Sequence, residues 1–405
     1  MSERIAIVTR HYAPEPTGSA PFIADLAKWL AASGSNVSVL TVRPGYPVGM
    51  AFPGFAAGER DHGIEDGVVV HRTPTLASRW GGLLGRVLPE GAFFVHLVAG
   101  RLRGHHAPAP CVVSLSPSIL AVFGALFLKA RGGRHVAVVH DIQSGLARAL
   151  MRGGGALAFL AERLEATVLN RVDHVIVLSD HMADHIRSIG VRVPIAVFPT
   201  PVDTKMVFPL PRPDAAPPTL MYSGNLGHKQ GLEQVLAMAS CVQERAPDVR
   251  ILLRGGGSQE VALKARARFL GLGNVHFEGL VPAHAFNQSL CEGDVHLVPQ
   301  LEAGASFAVP SKIYTTMAAG RPSIATALPG TALWKLMENT GACLCVPPDD
   351  PEAFSGAALA LLEDPKRQRA MGMAGRNYVC QNVDRDVVYP AMLRVLMPKT
   401  VITPA

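Results

Sequence analysis

Short apolar runs recur along this chain, each closing on a polar or glycine-bearing turn, with helix-period segments filling most of the intervals. That rhythm leaves few folds open, because strands joined by helical crossovers pair in parallel and bury both faces under helices. A first series of runs falls at 4–9, 37–42, 68–72, 112–115, 134–139, 172–178 and 195–197. A second series falls at 219–222, 250–253, 275–277, 295–298, 323–326 and 342–346, followed by helix-period segments at 351–363 and 365–379. Between the two series lies FPTPVDTKMVFPLPRPDAAPP, rich in proline and without periodicity, which reads as a linker. With 405 residues, 48% hydrophobic and 17% charged, the chain exceeds one ordinary core and is not disordered. The expectation is an α/β protein of two doubly wound Rossmann-like domains facing each other across a cleft. The domains run over 1–200 and 219–380, with a linker at 201–218 and a C-terminal helix in 381–405 packing back on the first domain.

Sheets of this kind bind ligands outside the carboxyl ends of their strands. The stretch from Met221 to Val235, MYSGNLGHKQGLEQV, breaks from an apolar strand into Ser223, Gly224, Asn225 and Gly227. Lys229 and Gly231 follow, and then a helical run containing Leu232 and Val235. A strand that turns on glycine into a helix offers bare backbone N–H groups and a positive dipole end, and a basic side chain beside them completes a phosphate site. The spacing matches neither the nucleoside-triphosphate loop nor the dinucleotide fingerprint, so a purely structural turn stays open at this point.

In the first half, HYAPEPTGSA places Gly18 before a helical segment containing Phe22, Leu26 and Leu30, either as a ligand-facing glycine or as a helix-start glycine. VVHDIQSG puts His140 and Asp141 at a strand end, a position suited to an active-site role. Eight basic residues and one acid, Glu90, lie between Gly67 and Val139, and such a one-signed stretch points to an anionic partner. Within it, 78–103 mixes Trp80, Phe93 and Phe94 with arginines, which suits either a membrane interface or a surface helix pair. Residues 111–128 carry no charge, yet Pro117 between Ser116 and Ser118 favours strand, turn and buried helix over a membrane span. The six cysteines show no metal or redox spacing, and Met1 to Arg10 leads directly into a strand, so no signal peptide is expected.

YSGNLGHKQGLEQV, VPSKIYTTMAAGRPSIAT and FPTPVDTKMVFP, supported by RVDHVIVLSDHM, resemble family 4 glycosyltransferases of the GT-B fold. Within that family the chain is most similar to the colanic-acid and O-antigen type of bacterial polysaccharide enzymes. The resemblance implies a retaining transfer of sugar from a UDP- or GDP-sugar to a lipid-linked or saccharide acceptor in exopolysaccharide or O-antigen assembly. It implies that Gly18 approaches the donor diphosphate, and that Gly224, Asn225, Lys229, Ser311 and Lys312 line it. Leu280 and Val281 would sit near the base, and His140 and Asp141 near the anomeric carbon. Two glutamates common in the family would fall at Phe307 and Thr315, so Thr315 is left as a weaker partner for the ribose. The other readings are a degenerate nucleotide-sugar-binding protein, a GT-B epimerase or a phosphorylase.

A diphosphate leaving group can be neutralised by fixed cations and helix N-termini as well as by a metal. With Asp384 and Asp386 placed to start the last helix, no required metal or other cofactor is expected. The resemblance also implies a polyprenyl-diphosphate-linked or saccharide acceptor. The expected location is cytoplasmic, peripheral on the inner face of the membrane, held to its anionic surface by the basic stretch and by Trp80, Phe93 and Phe94. Nucleic acid is not an expected partner.

Overall fold

In the computed structural model the described residues are 3–16, 19–45, 50–75, 82–140, 155–212, 215–301 and 309–398. They form two compact units, one of residues 1–198 and 389–405 and the other of residues 199–388.

The first unit is built on an eight-stranded sheet ordered β3-β4-β2-β1-β5-β6-β7-β8. Its strands are β1 Arg4–Val8, β2 Asn36–Val42, β3 His62–Glu65, β4 Val68–Thr73, β5 Ala109–Ser116, β6 Lys129–Val139, β7 His174–Val177 and β8 Ile195–Val197. All neighbours are parallel except β3 against β4. That hairpin turns on Asp66 and Gly67, both at positive φ (51° and 80°), which suits the twist of a tight antiparallel pair. The helices are α1 Ala20–Ala32, α2 Gly82–Leu102, α3 Ile119–Ala125, α4 Gly155–Leu169 and α5 Asp180–Ser188. The central strands read as continuous apolar runs because helices cover both faces.

Residues 82–102 form one helix, where a helix pair is an equal sequence expectation. It turns Phe93 and Leu97 into the core with Val8, Leu40 and Val112. Phe93 is therefore not available to enter a membrane, a correction to the sequence reading, and Trp80 lies outside the described residues. The uncharged stretch divides into β5 and the short α3, whose N-cap Ser118 accepts from the Ala121 amide. Among the described residues no helix is long and apolar enough to cross a membrane.

The second unit has a six-stranded, all-parallel sheet ordered β11-β10-β9-β12-β13-β14. Its strands are β9 Thr219–Ser223, β10 Arg250–Arg254, β11 Val275–Glu278, β12 Val295–Val298, β13 Ser323–Thr326 and β14 Cys343–Val346. Its helices are α6 Leu232–Arg245, α7 Glu260–Phe269, α8 Phe286–Leu290, α9 Ser311–Ala318, α10 Ala332–Thr340, α11 Pro351–Leu362 and α12 Pro365–Asn382. Val235, Leu236, Ala239 and Val242 of α6 pack against Leu253, Phe354 and Leu361.

The described residues of the proline-rich stretch at 201–218 pack as part of this unit. Val202 and Val207 are buried in its core. Prolines supply no N–H, so carbonyls here take donors from outside the stretch: Arg376 binds those of Thr204 and Val207, and Arg321 binds that of Leu210. The division between units falls inside α13, Arg385–Leu396. Asp384 takes the amides of Thr204 and Asp386, at 3.2 and 2.7 Å. Within the first unit, the Tyr389 hydroxyl donates to Asp25 at 2.8 Å.

Candidate functional site

The winding of the second sheet reverses between β9 and β12, the position where open α/β sheets take ligands. β9 ends in Gly224–Gly227, and beside it β10 ends in Gly255–Gly257. The two glycine loops are sewn together by backbone hydrogen bonds, Gly224 N to Arg254 O, Leu226 N to Gly256 O and Gln259 N to Leu226 O. Gly255 stands at φ 144°, and a Cβ there would fall inside the carbonyl oxygen of Gly224. No other residue fits that contact. Gly231, at φ 63°, closes the 3-10 turn His228–Gln230 and starts α6 with the Gln300 and Leu301 backbone 3.2 Å from where its Cβ would be. The result is a strand-turn-helix whose helix start, with Gln234 N bound to Gly231 O at 3.1 Å, lies at the carboxyl edge.

Lys312, in the first turn of α9, reaches this turn. Its Nζ lies 3.2 Å from where a Gly224 Cβ would be, 3.1 Å from Gln230 Oε1 and 3.9 Å from the centre of the Tyr222 ring. The Tyr222 hydroxyl is in turn tied to the Asn225 carbonyl at 2.7 Å. Among the described residues no carboxylate pairs with Lys312. Desolvation, with no counter-charge to oppose it, pushes its ammonium down to about 7. A partly buried cation held by a neutral carbonyl and a ring face, beside a helix start, is short of one anion. The helix N-terminus that carries Lys312 adds to the same positive field.

The structure brings Gly224, Asn225, Ser311 and Lys312 to this one edge. Lys229 lies on the exposed side of the 3-10 turn. Leu280 and Val281 follow β11, and Leu280 is half exposed at 50%. Thr315 faces Ser311 one turn back, its hydroxyl 3.5 Å from that carbonyl. In the first unit His140 follows β6, its amide bound to the Ser116 carbonyl at 3.3 Å and its ring 5.2 Å from Phe22. Gly18, Asp141 and Phe307 lie outside the described residues. Tyr222, Gln230 as a lysine acceptor and the Gly255–Gly257 loop escape the sequence reading. The glycine triplet after a strand was a visible signal for the last of these. Among the described residues no group of three or more His, Cys, Asp or Glu gathers to hold a metal ion.

Residues 17–201 match the model of the glycosyl transferase 4-like domain, and residues 217–364 match that of glycosyl transferases group 1. WcaI of Escherichia coli strain K12, named as a colanic acid biosynthesis glycosyl transferase, is 29% identical over 406 residues, covering 95% of this chain and 98% of that one. A GDP-mannose-dependent alpha-(1-6)-phosphatidylinositol monomannoside mannosyltransferase of Mycolicibacterium smegmatis is 27% identical over 330 residues, 76% of each chain. Among solved structures, HepE of Anabaena in complex with UDP-glucose superposes with a TM-score of 0.72 at 16% identity, over 98% of this chain and 99% of that one. The two matched domains in succession, each on its own parallel sheet, make this chain a member of the family 4 glycosyltransferases of the GT-B fold, of the polysaccharide-biosynthesis type.

Proposed function

We propose that the protein transfers a sugar, with retention, from a UDP- or GDP-sugar to a saccharide or polyprenyl-diphosphate-linked acceptor. One observation carries the donor reading: Lys312, lacking a carboxylate partner among the described residues, at the glycine turn where the second sheet reverses. A nucleoside diphosphate supplies the missing anion. Its phosphates meet the Gly224 and Asn225 turn and the starts of α6 and α9, and its base lies by Leu280 and Val281, with Thr315 toward the ribose. HepE is solved with UDP-glucose and the mycobacterial relative is named for GDP-mannose, which supports a nucleotide-sugar donor and leaves both nucleotides in the reading.

As the bond to the sugar breaks, charge grows on the diphosphate, and Lys312 with the preorganised amides stabilises it without a required metal. In a front-face reaction the departing phosphate can take the acceptor's proton. This reading gives His140 and Asp141 the task of positioning sugar and acceptor. Acceptors held on a lipid call for a membrane-facing surface. α2 exposes Leu88, Val95 and Leu102 along one stripe, and Phe127, Phe159 and Leu160 are exposed on elements of the same unit, with Arg101, Arg103 and Arg131 in the basic stretch. These residues suit an anionic lipid surface in place of Phe93.

The test is a thermal-shift series with UDP, GDP and ADP, followed by anomer-resolved NMR of the transfer product. A ligand that binds only the folded protein raises its unfolding temperature. No shift with any nucleoside diphosphate would defeat the donor reading, and an inverted product would defeat retention.

A further inference from the structure

The first sheet also reverses its winding, between β1 and β5. There the chain leaves a pocket of about 80 Å3, lined among others by Thr9, Arg10, His11, Glu90, Pro117 and Ser118. The space of a few waters admits one hydroxylated edge of a sugar rather than a whole ring.

The charges in this pocket are paired but not joined. Arg10 Nη1 stands 3.7 Å from Glu90 Oε1, beyond hydrogen-bond range, and the two side chains are 20% and 17% exposed. Arg10 Nε is buried with no hydrogen-bond partner among the described residues. Glu90 takes the Ser118 hydroxyl and keeps further acceptor capacity, and burial raises its carboxyl above the usual range. Close by, His11 Nδ1 lies 2.7 Å from Glu15, which also takes the Gly45 amide. An anion here would meet Glu90 and Glu15; a cation would meet Arg10. A neutral ligand that donates to a carboxylate and accepts from a guanidinium fits both, and two neighbouring hydroxyls on a sugar ring do so at one span.

We propose that this pocket binds a vicinal hydroxyl pair of the acceptor saccharide, gripped between Arg10 and Glu90 with Ser118 holding the carboxylate in place. The inference rests on the saccharide-acceptor reading above and gives that acceptor a place in the first unit. It also makes the Arg10–Glu90 pair a determinant of which sugar is accepted, because axial–equatorial and diequatorial hydroxyl pairs that reach the same two groups present the ring at different angles to the pocket wall.

Saturation-transfer NMR on the full chain with the methyl glycosides of glucose, galactose and mannose tests it. Wild type should bind at least one, and Arg10→Ala and the near-isosteric Glu90→Gln should each weaken that glycoside about tenfold, the loss of one charge-assisted hydrogen bond. UDP and GDP thermal shifts should be unchanged in both variants, which also shows that they fold. Absence of glycoside binding by the wild type, or binding at the wild-type level in both variants, would overturn the proposal. If neither UDP nor GDP shifts the wild type, the donor reading fails separately, whatever the glycosides do.

Discussion

Both sheets reverse their winding once around a central pair of strands, β1 with β5 in the first unit and β9 with β12 in the second. The topology is the same and the chemistry differs. At the first reversal two opposite charges face each other across a gap, with serine and histidine beside them. At the second, an ammonium without a carboxylate partner among the described residues sits against glycine backbone, with the neutral Gln230 carbonyl 3.1 Å away. On the proposed reading, winding sets where a ligand binds and uncompensated charge sets its class: neutral and hydroxylated at one edge, anionic at the other.

The comparison breaks most readily at Lys312. Changing it to Ala should lower transfer by roughly 10- to 1000-fold, as for loss of one preorganised charge on a leaving group, with methyl glycoside binding intact. Wild-type turnover in that variant would remove the anion assignment. Next in size is Gly255→Ala, which forces a Cβ into the Gly224 carbonyl and should cost about 2–4 kcal/mol in denaturant unfolding of the intact chain. A neutral result would mean that the two loops can part freely.

The pH response sharpens the contrast further. Lys312 is lowered from 10.5 to about 7 in the folded protein, so its burial disfavours folding below 10.5, increasingly down to about 7 and constantly beneath that. Lys312→Met should therefore gain stability over wild type at pH 6, and the gain should vanish near pH 10.5. A diphosphate raises the same pKa, so above pH 7 wild-type affinity should fall by about tenfold per unit, with proton uptake visible in buffer-dependent calorimetry. A flat profile, or the same slope in Lys312→Met, would place the proton elsewhere.

A smaller effect separates the units by surface. Val95→Glu with Leu102→Glu should reduce sedimentation with anionic vesicles about tenfold, and salt should reduce it in wild type. Equal binding to neutral vesicles would leave those residues as ordinary exposed apolars. The smallest expected effect is none: turnover should survive excess EDTA, and loss restored by magnesium would reverse the metal-free mechanism.

The second sheet was legible strand by strand, because each strand is short, apolar and followed by a turn. β3 was not, since His62, Gly63 and Glu65 carry no alternating apolar signal, although Asp66-Gly67 marks its turn. α10 was passed over despite Thr331 capping the Trp334 amide and Gly341 ending the helix in a left-handed turn. Gly224 and Lys312 could be named from motifs, but whether the ammonium has a counter-ion depends on contacts between distant segments. The same holds for Arg10 and Glu90, which the sequence keeps far apart and the packing of α2 on the sheet brings together.

A lysine lowered to about 7 is also a nucleophile. With its ammonium lowered to about 7, Lys312 carries a free lone pair near neutral pH far more often than an ordinary surface lysine, for which the neutral share is roughly one in a thousand or fewer. Sparing amounts of an amine-acylating reagent should therefore mark Lys312 ahead of more exposed lysines. That selectivity should disappear when a nucleoside diphosphate fills the turn, so peptide mapping of the label would report occupancy of the site without any knowledge of the sugar.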